Sequence, residues 1–337
     1  MSGRHSTRAS AVRGRVVPAV LAACLVATGI IVASLAVNGS GSHPPAQGAA
    51  ASKTLTPSAG QPKAASADSA SASASASASA GKTRSTRTAG TRQDPFGKAA
   101  TSYLSTRAGT VLAAVYDVGT GQTWRIGPGQ PQDEASVVKL DVLETLLSER
   151  NSNRTELSVS DRSLTQEMIE DSDNDAATSL WYEIGGAAGI RSFNAAAGLA
   201  DTSPSSCVKC PGFPWPGWGL TTTTPTDQLT LLRRLAEPSS LLTSAERRYA
   251  LSLMENVTPS QRWGVSGSVP PQVTVALKNG WLPLNGSDTD WQINSEGWIS
   301  GLGRNYLMAV LSTGNPDEQY GIDTIDQLAG IVWNEMK

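Results

Sequence analysis

The chain has 337 residues, and its overall charge of −2 hides a strong asymmetry. Residues 1–93 carry ten of the 27 Lys and Arg and one acid, Asp68, which leaves 17 cations against 28 acids in residues 94–337, a net of −11. A surface of that sign repels phosphate backbones, so nucleic acid is excluded as a partner of the folded part. Both histidines, His5 and His43, lie in the N-terminal arm, which removes Ser-His-Asp and Cys-His mechanisms and His-ligated zinc from residues 94–337. Cys207 and Cys210 are too few for a four-thiolate site. No metal or organic cofactor is implied, and the base of any enzyme here must be Lys, a carboxylate or Tyr.

In chain order, residues 1–15 form a basic start with Arg4, Arg8, Arg13 and Arg15. Residues 16–37 are uncharged and mostly apolar, long enough for a membrane-crossing helix and equally a signal peptide with a small-residue cleavage site at Ser34-Leu35-Ala36. Leu21-Ala22-Ala23-Cys24 also fits a lipobox, although the apolar run continues past Cys24. All three readings export the domain, retained on the extracellular side of the membrane or secreted. Residues 38–93, rich in Ala, Ser, Thr, Pro and Gly with a Ser-Ala repeat at 69–80, read as a disordered tether.

From Asp94 the pattern is that of one globular domain, expected to be monomeric. Ala99–Arg107 predicts a short helix, and Val111–Asp117, a Gly119-Thr-Gly121 turn and Thr123–Ile126 predict a β-hairpin. Helices dominate from Ser136 to about Leu253. Strands return at Val273–Trp281, Asp290–Ser295 and Tyr306–Thr313, and Ile322–Met336 predicts a closing helix. Strands at both ends with helices between imply an antiparallel sheet assembled from distant segments and covered by helices.

Ser136-Val-Val-Lys139 is the first chemical candidate. A serine three residues ahead of a lysine on a helix shares its face, and burial lowers a lysine's pKa until the amine can take the serine proton. Ser206-Cys-Val-Lys209 matches the same pattern, so the motif alone is weak. Ser136, however, opens the run Val137, Val138, Leu140, Val142, Leu143, Leu146, Leu147, apolar nearly all round and therefore buried, where Lys139 needs partners and a task. The bland alternative is a lysine that snorkels from the helix end. Ser172-Asp173-Asn174 reads either as chemistry or as an ordinary helix cap, and Lys278-Asn279-Gly280 either as a site or as an edge-strand lysine with a turn glycine.

In this order the three motifs resemble those of the penicillin-recognising serine enzymes, and within them the class A β-lactamases. The likeness covers residues 94–337 and includes Leu164–Gly186, Thr221–Pro225 leading into Leu229–Leu235, and the terminal strand and helix. It implies an α/β (α+β) fold with a five-stranded antiparallel sheet flanked by helices, plus a helical subdomain. It also implies roles: Ser136 the acylated nucleophile, Lys139 its base, Ser172 a proton carrier to the leaving nitrogen, and Asn174 a partner of Lys139 and of the substrate amide. Lys278 would face a substrate carboxylate, Asn279 and Gly280 would line the site, and the N–H groups of Ser136 and Trp281 would form the oxyanion hole.

The chain also departs from that pattern. Residues 202–226, where class A enzymes carry the glutamate that activates the deacylating water, contain no Asp or Glu. Asn279 replaces the family's hydroxyl residue, no arginine lies between Lys278 and Arg304, and the Ser136–Ser172 spacing is short, which suggests a reduced helical subdomain. Glu170 and Asp171 precede Ser172 on the helix side and are poor substitutes for the glutamate. Cys207 and Cys210 admit a local disulfide, two thiols or pairing to another chain, and Trp215 and Trp218 admit glycan stacking or plain packing of the loop. The resulting expectation is a serine hydrolase acylated at Ser136, acting on β-lactams weakly or on a small-molecule or peptidoglycan-derived substrate. The alternatives are a DD-peptidase-like or esterase activity and a degenerate domain that binds peptidoglycan or a partner.

Overall fold

The computed structural model describes residues 92–286 and 289–337. The expected basic start, apolar segment and nearly all of the tether lie outside the described residues. Among the described residues no helix is long and apolar enough to cross a membrane.

After α1 (Lys98–Leu104), β1 (Thr110–Asp117) and β2 (Thr123–Ile126) form the expected hairpin, with Ala113 opposite Ile126. A two-residue strand, β3 (Gln132–Asp133), leads into a 3₁₀ turn at Ala135–Val137 and then α2 (Val138–Asn153). The helical stretch continues with α3 (Val159–Glu170), α4 (Asn174–Glu183), α5 (Gly186–Ala197), α6 (Pro225–Ala236) and α7 (Ser244–Glu255). It is interrupted by β4 (Thr222–Thr223), which pairs with β3 and which sequence reading had assigned to the helical region. β5 (Thr274–Pro283), β6 (Trp291–Gly301), β7 (Arg304–Asn315) and α8 (Glu318–Glu335) complete the chain.

The five long strands lie in the order β2-β1-β7-β6-β5, every neighbour antiparallel. This is the five-stranded antiparallel sheet implied by the motifs, closed by joining the N-terminal hairpin to the last strand. β6 runs six residues past its expected end at Ser295, because Glu296 and Gly297 break the apolar alternation that marks a strand in sequence. Asn294, Ser295 and Glu296 are all buried, so polarity here records interior function rather than a turn.

Each face of the sheet has its own apolar layer. One joins Ala113, Val115, Val275, Leu277, Met308 and Val310 to α1 and α8. The other joins Ala114, Ala276, Leu307 and Ala309 to the helical region. On that face α6 lies against β1 and β7, where Ala114 and Ala309 stand opposite one another and leave room for it. α2 touches α3, α4, α5, α6 and α7 and is buried from Val138 to Ser148. Its sequence foretold this enclosure, Lys139 included, but not that Asp141 and Glu144 would be enclosed with the leucines.

Caps fix where the helices begin. Ser158 and Thr243 close capping boxes on α3 and α7, Asp173 caps α4, and Thr224 caps α6 ahead of Pro225. The residues ahead of α2 are held from the sheet instead: Asn294 on β6 donates through Nδ2 to the carbonyls of Asp133 and Glu134, each at 2.8 Å. Asn294→Ala removes a donor from each of these two carbonyls, leaving Glu134 only its bond from the Val137 N–H, and we expect it to lower unfolding stability by about 1–3 kcal/mol in urea titration.

Candidate active site

Three elements meet at one buried amine. Lys139, in the first turn of α2 and 0% exposed, sends Nζ to the Ser172 carbonyl at 2.5 Å, to Asn174 Oδ1 at 2.7 Å and to Ser172 Oγ at 3.1 Å. Lys278, on β5 and 1% exposed, reaches the same Ser172 Oγ at 2.9 Å and the Asn279 carbonyl at 2.8 Å. Ser172-Asp173-Asn174 therefore both caps a helix and holds the Lys139 amine. Asp173 is the cap, accepting from the Ala176 N–H at 2.7 Å, while Ser172 and Asn174 on either side turn to Lys139.

Burial pushes the Lys139 amine well below the usual lysine range, the nearby Lys278 charge pushes it further, and Asp173 partly opposes both. Burial also lowers Lys278 to about 7, against the pull of Glu296. A neutral Lys139 has two N–H groups and one lone pair. The Ser172 carbonyl and Asn174 Oδ1 can only accept, so they use both N–H groups and leave the lone pair for a hydroxyl. Lys278 donating to Ser172 Oγ then frees the Ser172 O–H to donate to Lys139. The arrangement links two amines through one serine hydroxyl.

Ser136 is half-buried in the 3₁₀ turn that leads into α2, three residues ahead of Lys139. Ala135 before it holds φ 49° and Ser172 holds φ 58°, left-handed values that cost a non-glycine residue about 1–3 kcal/mol and collect at functional sites. Gly280 is required by close approach. A Cβ there would stand 2.6 Å from the Ser136 nitrogen, 2.8 Å from the Val137 nitrogen and 2.9 Å from the Glu134 carbonyl. β5 thus runs against the serine backbone, with Trp281 one residue further along. Asn279, on the opposite face of β5 and fully buried, donates to the carbonyls of Gln261 at 2.6 Å and Trp263 at 3.2 Å. Its amide is spent inside the fold and does not line the cleft beside Lys278.

The loop before α6 lies on this site. Cys207 and Cys210 are joined in a disulfide. Trp218 is buried, with its ring centroid 5.1 Å from Lys139 Nζ and its Nε1 donating to Thr178 Oγ1 at 3.2 Å. Trp215 Nε1 donates to Asp175 Oδ1 at 2.9 Å. Both tryptophans pin the loop to α4. The competing Ser206 and Lys209 are exposed in this loop. Glu170 accepts from Gln166 on its own helix and Asp171 is exposed, so neither carboxyl joins the cluster around Lys139.

Sequence reading missed a set of buried acids behind the lysines. Glu134, Asp141, Glu144 and Glu296 are essentially unexposed, and Asp227 nearly so. Asp141 accepts from Asn194 at 2.8 Å and Glu134 from Gln228 at 3.2 Å, whereas neither oxygen of Glu144 or of Glu296 has a hydrogen-bond partner. Burial first, then mutual repulsion, raises Glu134 well above the carboxylate range; burial likewise raises Glu144, with Arg234 opposing. Asp141 is raised to about 7. Acids at the fifth and eighth positions after Ser136, inside an otherwise apolar run, were the available sequence signal.

This sheet, enclosed helix and lysine–serine–lysine cluster define a class A β-lactamase-like fold. The sequence pattern of the Beta-lactamase enzyme family matches residues 146–336, and the chain belongs to that family. The matched stretch includes Ser172, Asn174 and Lys278 and begins after Ser136 and Lys139. Among curated proteins it is 28% identical over 234 residues to "Putative lipoprotein LppW" of Mycobacterium tuberculosis and of Mycobacterium bovis, covering 68% of this chain and 71% of the relative. Among solved structures it is similar to the TLA-1 extended spectrum β-lactamase, at 17% identity and TM-score 0.62, covering 70% of this chain and 96% of that one. It is also similar to a class A β-lactamase from Mycobacterium abscessus, at 23% identity and TM-score 0.57, covering 69% and 96%. These structural likenesses concern the fold.

Two outcomes follow from this geometry. Gly280→Ala drives a methyl into backbone atoms of the nucleophile turn, so we expect any Ser136-dependent acylation to fall by at least about tenfold, a loss of roughly 1.4 kcal/mol of transition-state stabilisation or more, read from adduct formation rates. The second concerns pH. Asp141 rises from an ordinary 3.8 to about 7 on folding, so the folded state binds the extra proton. Its contribution is full below pH 4 and is lost as pH climbs through about 7. At about 1.4 kcal/mol per pH unit this amounts to at most about 4 kcal/mol. Asp141→Asn should raise thermal stability at pH 8 and flatten its decline between pH 5 and 8.

Proposed function

We propose that residues 94–337 are an exported serine hydrolase that forms an acyl-enzyme at Ser136. The observation that carries this reading is the fully buried Lys139 amine, shared with Ser172 and Asn174 and depressed by burial, three residues after Ser136. In this scheme Ser136 Oγ attacks a carbonyl carbon and its proton passes to Lys139 Nζ. The N–H groups of Ser136 and Trp281 stabilise the oxyanion. As the carbonyl C–N or C–O bond breaks, Ser172 delivers a proton to the leaving atom and is resupplied by the lysines on its oxygen. Lys278, rather than Asn279, meets a carboxylate on the substrate.

Deacylation is the weak step in this proposal. Residues 202–226 offer no carboxylate, and an indole ring, Trp218, covers Lys139 from the loop side. With no base beside it, water attacks the ester slowly, so β-lactam hydrolysis is weak or narrow. The same observation supports a second reading, in which the substrate is a cell-wall peptide or ester and the acyl group passes on as in DD-peptidases. A purely binding domain explains less, since a binder has no need to bury Lys139 at the cost of desolvating a charge. Export is supported by the apolar segment 16–37 and by the name of the mycobacterial relative, which favours lipid attachment at Cys24.

Intact-mass measurement of the chain incubated with penicillins and cephalosporins tests the proposal. We expect an adduct that persists for many minutes, is absent in Ser136→Ala, and forms about 100-fold or more slowly in Lys139→Met. Ser136-dependent drug consumption without an accumulated adduct would restore efficient hydrolysis. Absence of both adduct and turnover, with esters as well as β-lactams, would leave the binding domain.

A further inference from the structure

The buried acids differ in how the fold uses them. Glu134 and Asp141 have amide partners, Gln228 and Asn194, and Arg234 on α6 offsets Asp141 and Glu144. Glu296 has neither an amide nor an arginine. It stands directly opposite Lys278 across the β5–β6 ladder, on the same face, and both residues are 1% exposed. The row continues across the sheet as Ala309 and Ala114, which supply only methyl groups. Burial raises the Glu296 carboxyl well above the carboxylate range, and among the described residues Lys278 is the one cation that pulls it back, as Glu296 is the one anion that acts on Lys278. The other charges around the pair are like-signed to Glu296 or belong elsewhere: Glu134 ahead of α2, Asp141 and Glu144 on α2, Asp227 and Arg234 on α6, and Lys139, which repels Lys278.

A carboxyl with two unpartnered oxygens in the interior is expensive, and an aliphatic side chain would pack there at less cost. Its position explains the expense. Lys278 is itself desolvated, and a desolvated amine surrenders its proton unless an opposite charge is near. An amine that must be cationic to attract a substrate carboxylate, and must keep a proton to donate to Ser172, needs that charge from behind, since the front is the cleft.

We infer that Glu296 is a positioning residue for Lys278: from the opposite strand it keeps the Lys278 amine charged and directed at Ser172, and so sets the preference of the site for substrates that carry a carboxylate. Glu296 touches neither substrate nor Ser136. Its contribution passes entirely through Lys278, and selectivity therefore fades as pH rises through the range in which Lys278 loses its proton. The selectivity part rests on the acyl-enzyme reading above, while the effect on the lysine does not.

The test uses the full chain labelled with ¹³C-lysine, with the Lys278 Cε signal assigned by its loss in Lys278→Met. In Glu296→Gln, nearly the same size and uncharged, the titration midpoint of Lys278 should fall by about one pH unit, a roughly tenfold change in its charged fraction above that midpoint. Acylation by benzylpenicillin at pH 7.5 should drop severalfold, acylation by a thioester lacking a carboxylate should hold, and Glu296→Asp should restore part of the loss. An unchanged Lys278 midpoint would overturn the inference, as would equal losses for both substrates, the mark of a merely structural residue. If Glu296→Gln does not fold, the Glu296→Asp midpoint decides: a shift supports the inference and none overturns it. Absence of acylation by either substrate in the unaltered chain would count against the proposed function alone, because the titration midpoint still reports on Glu296.

Discussion

The structure is organised around a lysine amine with no access to water. Lys139 sits within the most enclosed helix of the domain, and a desolvated ammonium there costs several kcal/mol unless its protons are received. Ser172 and Asn174 receive them, which requires α4 to begin where its first residues can face α2. Asp173 caps that helix and so fixes its start. Ser172 adopts a left-handed backbone to bring both its carbonyl and its hydroxyl onto the amine. The strain at Ser172 and at Ala135, the burial of α2 and the close run of β5 past Gly280 all serve one small volume.

Behind that volume the fold stores negative charge. Five acids share an interior with few cations, and two of the acids have no hydrogen bond. Such a cluster can be kept only by holding protons or by neutralising lysines, so the domain exchanges stability for control of its amines. Burial lowers both lysines, opposed by Asp173 at Lys139 and by Glu296 at Lys278.

The loop that in class A enzymes brings a carboxylate to this place brings an indole here. Trp218 and Trp215 are tied to Thr178 and Asp175 on α4, and the Cys207–Cys210 disulfide shortens the loop behind them. An aromatic face over Lys139 excludes water and offers no base. In the proposed scheme acylation and deacylation are separable, because the first draws on α2, α4 and β5 and the second on the loop.

Much of this was legible in the chain. The absence of histidine from residues 94–337 narrowed the base of any enzyme to Lys, a carboxylate or Tyr, and the apolar run around Lys139 declared its burial, since periodicity and residue type report solvent exposure directly. The ordered motifs pointed to the fold, and the five strands emerged from both ends of the chain as expected. What sequence could not decide was which side chains share a face across distant segments. Glu296 beneath Lys278, Asn294 beneath the nucleophile turn and Trp218 over Lys139 are juxtapositions set by strand register and loop path. Asn279 shows the same limit: its neighbours in sequence suggested the cleft, but the two-residue alternation of a strand turned its amide to Gln261 and Trp263. One-dimensional order fixes composition and periodicity, whereas charge coupling depends on distance, and distance between remote residues exists only once the sheet has closed.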